Sequence, residues 1–258
     1  VKFKKKNNII NLETKNTLTG EIQFYTCENL FVGCGPILTA SLILRSKILK
    51  DNKINIKESQ RFYFPAFYLG NADNNLKELK NTLPELFFEI YNEKISSKSI
   101  HLQFYTFNDL MLKPFEKIFG RFTKFLIKLF PFVFNRLTVI VGYLHSDFSS
   151  ELILKEDQDR KNNYILSSKP NSKSKSIITE CVNFIKKIMK NKLIILPKLV
   201  ALNSPGSSYH YGSSFPMSKS KISEKSTNLN GELYDFKNVF ILDASVFPDI
   251  PGSPTTFN

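Results

Sequence analysis

The sequence predicts an α/β (α+β) fold: strand–turn–helix units share the chain with an antiparallel sheet and covering helices. Three observations carry this. Asn29 to Val32 is a short apolar run, broken by Gly33-Cys34-Gly35-Pro36 and followed from Ile37 to Leu49 by helical periodicity. Val239 to Leu242 is a second apolar run, alternating too little for a half-exposed strand and so read as buried. It ends in Asp243-Ala244-Ser245, after which Pro248, Pro251 and Pro254 forbid regular pairing. Between these runs lie alternating segments and two amphipathic stretches, the mark of a sheet with helices over it.

The first elements are two alternating segments, Asn8 to Glu13 and Gly20 to Tyr25, joined by the turn-rich KNTLTG as a hairpin. The strand, glycine turn and helix of 29–49 follow, with Pro36 near the first helical turn. Asp51 to Gln60 is polar and reads as a linker. From Arg61 to Lys94 the pattern is mixed, with aromatic-rich RFYFPAFYLG and a helix expected around Leu83 to Tyr91.

Ile100 to Phe104 reads as a strand, with His101, Gln103 and Tyr105 on its other, polar face, where His101 either lines a pocket or, as is more usual for a single histidine, is exposed to solvent. Lys113 to Arg136 has phenylalanines and leucines from Phe115 to Phe130 at helical spacing. Lys113, Lys117, Arg121, Lys124 and Lys128 share the opposite face, and Pro131 ends the helix. That pattern suits either a helix covering a sheet or peripheral contact with an anionic membrane surface through residues 113–136. Leu137–Leu144 and Glu151–Lys155 read as a hairpin around HSDFSS, with His145 and Asp147 exposed at its tip. Glu156 to Ser176 reads as a charged loop, and Ile177 to Met189 as an amphipathic helix.

A chain of 258 residues with 42% apolar content can bury a substantial core. It has no unbroken apolar run long enough to span a membrane. The net charge of +13 accompanies abundant Lys, Asn, Ile and Phe and no Trp, a compositional bias rather than a basic patch. No nucleic-acid motif is present, and no nucleic-acid partner is expected. Cys27, Cys34 and Cys181 lack metal-type spacing, so no metal site is expected. Reduced thiols and the absence of a visible leader suggest a cytoplasmic protein.

The chemistry concentrates in Asn203 to Thr256. NSPGSSYHYGSSFPM holds one histidine, His210, in a loop of small residues, and LNGELYDFKNVFILDASVFPDIPGSPTT follows. Polar groups at the end of a buried strand, near a loop with a lone histidine, are where α/β proteins place ligands. A hydrolase triad of Ser208, His210 and Asp243 is set aside, because the serine has no GxSxG elbow.

The order HYGSSFPM, then LNGELYDFKNVFILDASVFPDIPG, resembles the C-terminal signature of the glucose–methanol–choline (GMC) flavoprotein oxidoreductases. ENLFVGCGPILTASLILRS, Glu28 to Ser46, resembles that family's earlier strand and glycine turn. The family's usual glycine three residues after the histidine is Ser213 here, with Gly212 just before. The resemblance implies the remainder of a Rossmann-like FAD-binding domain, in residues 1–50 and 198–258, and an antiparallel-sheet substrate-binding domain in 51–197. No GxGxxG occurs, so the chain reads as a C-terminal portion of a longer enzyme or a degenerate homologue.

By the same resemblance the cofactor is FAD, contacted by Gly33, Gly35, Asp243, Ala244 and Thr255, and the substrate is a small alcohol or sugar-like molecule. His210 is the base that takes the hydroxyl proton. The family's second His or Asn is absent from Pro251 to Thr256, with Ser253 or Thr255 as the hydrogen-bond donor in its place. Asp243 has a plainer alternative, the capping of the turn after it. The alternative function is a non-catalytic membrane-surface or interaction protein on the same fold.

Overall fold

The computed structural model describes residues 1–71, 83–84, 86–108, 116, 120–157, 159–160 and 163–254. They divide into two compact units. The first comprises Val1–Ser59, His145–Asn171 and Pro205–Asn258; the second comprises Gln60–Leu144 and Ser172–Ser204.

In the first unit, β1 (Lys2–Lys6), β2 (Ile9–Lys15) and β3 (Ile22–Cys27) form an antiparallel meander, which adds a strand to the expected hairpin. β4 (Leu30–Val32) leads through Gly35 into α1 (Pro36–Ser46). Gly35 has φ 83°, the left-handed region that favours glycine, and Pro36 opens the helix behind it. β4 pairs in parallel with β15 (Val239–Ile241), Phe31 opposite Phe240. The two strands therefore end side by side, and everything that follows depends on this.

The segment 51–60 is not a linker. Lys53–Glu58 is strand β5, with Ile54, Ile56 and Glu58 pointing inward and buried. It pairs with β10 (Glu151–Glu156) and with β14 (Tyr211–Gly212). β10 in turn carries β11 (Tyr164–Lys169), so the charged loop expected over 156–176 holds a strand. The core of this unit joins Phe3, Ile10, Val32, Ile43, Ile54, Ile56, Phe215, Val239 and Ile241.

The second unit is built on a sheet in the order β12 (Leu193–Ile195), β6 (Arg61–Tyr68), β9 (Leu137–Tyr143), β8 (Ile100–Thr106), β7 (Leu86–Ile90), with β13 (Ala201–Leu202) also on β6. All these pairs are antiparallel. Phe62, Phe64 and Ala66 are buried by period-two alternation on β6, while β8 is buried at successive positions from Ile100 to Phe104. Helix α4 (Ser174–Ile188) buries Ile177, Ile178, Cys181, Val182 and Ile185.

Three sequence expectations fail in this region. Leu83–Tyr91 contains a strand, β7, rather than a helix. β9 and β10 belong to different sheets, so 137–155 is not a hairpin. His101 is 4% exposed rather than solvated: its Nδ1 meets Glu89, its Nε2 lies 3.1 Å from Gln103 Nε2, and Tyr105 donates to Gln103 Oε1 at 2.7 Å. The described part of 113–136 forms a 3-10 turn (Gly120–Phe122), α2 (Thr123–Leu129) and α3 (Pro131–Phe134). Phe115, Ile118, Phe119, Lys113 and Lys117 lie outside the described residues. No helix among those described is long and apolar enough to cross a membrane.

Candidate active site

The parallel pairing of β4 with β15 brings the Gly33–Gly35 turn beside Asp243. The Asp243 carboxylate spans both turns: Oδ2 accepts from Gly35 N at 2.9 Å and Thr39 Oγ1 at 2.5 Å, while Oδ1 accepts from Ser245 N at 2.9 Å. Thr39 Oγ1 also accepts from Cys34 N at 3.2 Å. Asp243 thus does cap the turn after it, a 3-10 turn over Ala244–Val246, and it locks the glycine turn as well.

Ala244 is the junction to the histidine loop. Its carbonyl accepts from Ser213 N at 3.0 Å, and Phe215 N and Met217 N bond to the next two carbonyls, Ser245 and Val246, at 2.8 Å each. Gly212 is packed so tightly that an added Cβ would lie 2.2 Å from the Ala244 oxygen. Ser213 has φ 56°, which explains why a glycine suits that position. Its hydroxyl donates to Pro248 O at 2.8 Å.

His210 is half-buried between exposed Tyr209 and half-buried Tyr211. Its backbone is held by the end of β5: Ser59 N donates to His210 O at 3.0 Å. His210 N donates to Ser208 Oγ at 3.2 Å, and that hydroxyl donates to Ser59 O. The Ser208 hydroxyl is therefore engaged with backbone rather than with the imidazole, and Asp243 with Gly35 and Thr39, which removes the hydrolase triad.

Of the residues singled out in the sequence, Gly33, Gly35, Asp243 and Ala244 adjoin one another in this unit, and His210 reaches Ala244 through Gly212 and Ser213. Ser253 is half-buried nearby in sequence. Thr255 lies outside the described residues.

Two features of this unit were missed. Glu58 is fully buried; it accepts from Gly206 N at 3.1 and 3.2 Å and from the Ser150 hydroxyl. Burial pushes its carboxyl above the usual glutamate range, against these hydrogen bonds. The readable signal was its inward position after Ile54 and Ile56. The second is His145, expected to be exposed and found 5% exposed. Its Nδ1 accepts from Asp147 N at 3.1 Å, and Nε2 lies 3.3 Å from Asp249 Oδ1. Ser146 and Ile250 exchange bonds alongside, Ser146 N to Ile250 O at 2.8 Å and Ile250 N to Ser146 Oγ at 3.0 Å. This cluster pins the segment that follows the Asp243 turn, and its pairing of side chain with distant backbone has no local sequence signature.

The glycine turn leaves room for a flavin on two counts. Gly33 and Cys34 are exposed, and nothing lies within 4 Å of the place a Gly35 Cβ would take, while the Asp243 carboxylate already takes the Gly35 N–H at the start of α1. Among the described residues the buried hydroxyls of Ser214 and Ser245 also have no hydrogen-bond partner.

Residues 195–258 match the family model described as GMC oxidoreductase. No curated protein matches the sequence. Among solved structures, pyridoxine 4-oxidase from Mesorbium loti superposes with TM-score 0.58 at 11% identity, over 98% of this chain and 53% of that one. A fungal aryl-alcohol oxidase gives TM-score 0.48 at 12% identity, over 95% of this chain and 55% of that one. The chain thus spans about half the length of these structures. Residues 195–258 are thus similar to GMC oxidoreductases, and the chain shares a mixed fold with pyridoxine 4-oxidase.

Proposed function

We propose that the chain forms part of an FAD-dependent oxidoreductase acting on the CH–OH group of an alcohol or sugar-like donor. The observation that carries this reading is the hydrogen-bonded path from the His210 loop through Ala244 to Asp243 and the Gly33–Gly35 turn. Gly33, Gly35, Asp243, Ala244 and Thr255 are the residues that would hold FAD, and FAD when bound supplies a hydride acceptor. A ring nitrogen of His210 takes the hydroxyl proton. Ser253 donates a hydrogen bond to the substrate oxygen, and small residues around His210 leave room for the substrate.

Segments 1–50 and 198–258 are assigned to the flavin-binding part and 51–197 to the substrate-binding part; the compact first unit differs by taking in 51–59 and 145–171 and leaving 198–204 to the second. The reading assigns no nucleic-acid partner, and three free cysteines suit a cytoplasmic setting. It is tested by anaerobic mixing of the flavin-loaded enzyme with a panel of primary, secondary and sugar alcohols. Bleaching of the flavin by at least one class is expected, and a flavin that none of them reduces rejects the reading.

A second reading concerns contact with a membrane. Phe122 is 66% and Phe125 60% exposed, and Leu129, Phe130, Phe132 and Val133 are exposed beside them. Arg121, Lys124 and Lys128 are exposed on the same short stretch, which carries no acidic residue from 120 to 136. Apolar rings flanked by cations suit an anionic lipid surface. Co-sedimentation with vesicles should require anionic lipid and weaken as salt screens the cations. The pair Phe122→Ser and Phe125→Ser should abolish it while far-UV circular dichroism stays unchanged; binding that survives these changes rejects the contact.

A further inference from the structure

We propose that Glu58 is the positioning residue of the His210 loop: its buried carboxylate is the anion around which residues 205–208 fold, and so fixes where His210 stands. The inference rests on the reading of His210 as the base.

Three donors converge on this one group. Gly206 N lies 3.2 Å from Oε1 and 3.1 Å from Oε2, the Ser150 hydroxyl donates to Oε1, and the Ser208 N–H donates as well. Gly206 takes φ 79°, which wraps the loop around the carboxylate. Ser59, the next residue, holds His210 by both backbone groups, directly at its carbonyl and through the Ser208 hydroxyl at its N–H. Glu58 and Ser59 therefore grip the loop from 206 to 210 at alternate N–H groups, all from the rigid end of β5.

No lysine or arginine forms an ion pair with Glu58 among the described residues, so only N–H and O–H dipoles balance its charge. Burying an uncompensated carboxylate is costly, and a plain turn is held more cheaply by neutral groups. What a carboxylate adds is geometric: it accepts from several N–H groups at once, and the bonds are short and directional. A base that must meet a hydroxyl within hydrogen-bond reach gains from such a mount, because a misplacement of about 1 Å costs roughly a hundredfold in rate.

Glu58→Gln keeps the shape, removes the charge and sets an amide N–H against N–H donors. In the substrate-free protein, amide hydrogen exchange at Gly206 and Ser208 should quicken about ten- to hundredfold relative to Leu152 and Leu154 on β10, the equivalent of the hydrogen-bond loss. In the flavin-loaded enzyme the same change should lower flavin reduction at saturating alcohol by about ten- to hundredfold while KM moves little. Unaltered exchange at both amides overturns the proposal, as does a loosened loop with undiminished reduction. A wild-type flavin that no alcohol reduces overturns the base reading instead, and the exchange experiment then decides alone whether Glu58 holds the loop. If Glu58→Gln does not fold, Ser150→Ala removes one donor, and an absence of any quickening at Gly206 and Ser208 is equally fatal.

Discussion

Gly212→Ala is the sharpest structural perturbation of the site. The new Cβ would stand 2.2 Å from the Ala244 oxygen and 2.6 Å from Ile250 Cδ1. Ordinary C···O contacts are about 3.3–3.6 Å, so roughly 1 Å of overlap must be relieved. The Ala244 carbonyl cannot retreat freely, because it accepts from Ser213 N at 3.0 Å and Phe247 N at 3.3 Å. Overpacking of this kind costs about 1–3 kcal/mol. Breaking the Ser213 bond, with that N–H left buried, adds about 1–3 kcal/mol. A loss of about 2–6 kcal/mol is a large share of a domain's total stability of about 5–15 kcal/mol. The protein has no tryptophan, so urea denaturation followed by circular dichroism is the assay. A loss below about 0.5 kcal/mol, the scale of a neutral surface change, would refute the packing described between the histidine loop and the Asp243 turn.

Two further outcomes follow from buried groups. Cys181 is fully buried and its thiol is pushed up to about 12, whereas Cys34 is exposed. Mild alkylation should therefore label Cys34 in the folded protein and Cys181 only after denaturant is added; early labelling of Cys181 would contradict the packing of α4. Glu58 has its folded-state pKa raised by burial above the unfolded value, so the native state binds the proton more readily. Its contribution grows as pH falls through the folded pKa and is complete below the unfolded one. As pH falls toward the ordinary glutamate range, wild-type stability should improve relative to Glu58→Gln; a constant or shrinking advantage would mean the carboxyl is not desolvated.

The histidine loop and the Asp243 turn were legible because each is a local string of residues. So was the strand–turn–helix of 30–46, where Gly35 and Pro36 act on their own neighbours. Elements decided by distant partners were not. In Lys53–Glu58 only Ile54 and Ile56 are apolar, and β10 and β14 pair with it from remote parts of the chain. Leu83, Leu86, Phe87, Ile90 and Tyr91 satisfy helical spacing, yet five cross-strand pairs with β8 make 86–90 a strand. His101 and His145 were expected in solvent because a sequence shows a histidine's neighbours but not Glu89 or Asp249 across the fold. Ser213 stands where the GMC signature has a glycine, and its positive φ supplies the reason a glycine suits that position.

The proposed role of His210 is to take the substrate's hydroxyl proton. Rapid-mixing measurement of flavin reduction by the best alcohol, wild type against His210→Ala, tests it most directly. A fall of about two to four orders of magnitude at unchanged flavin content is expected, the weight of a general base. Equal reduction rates in the two proteins would contradict it.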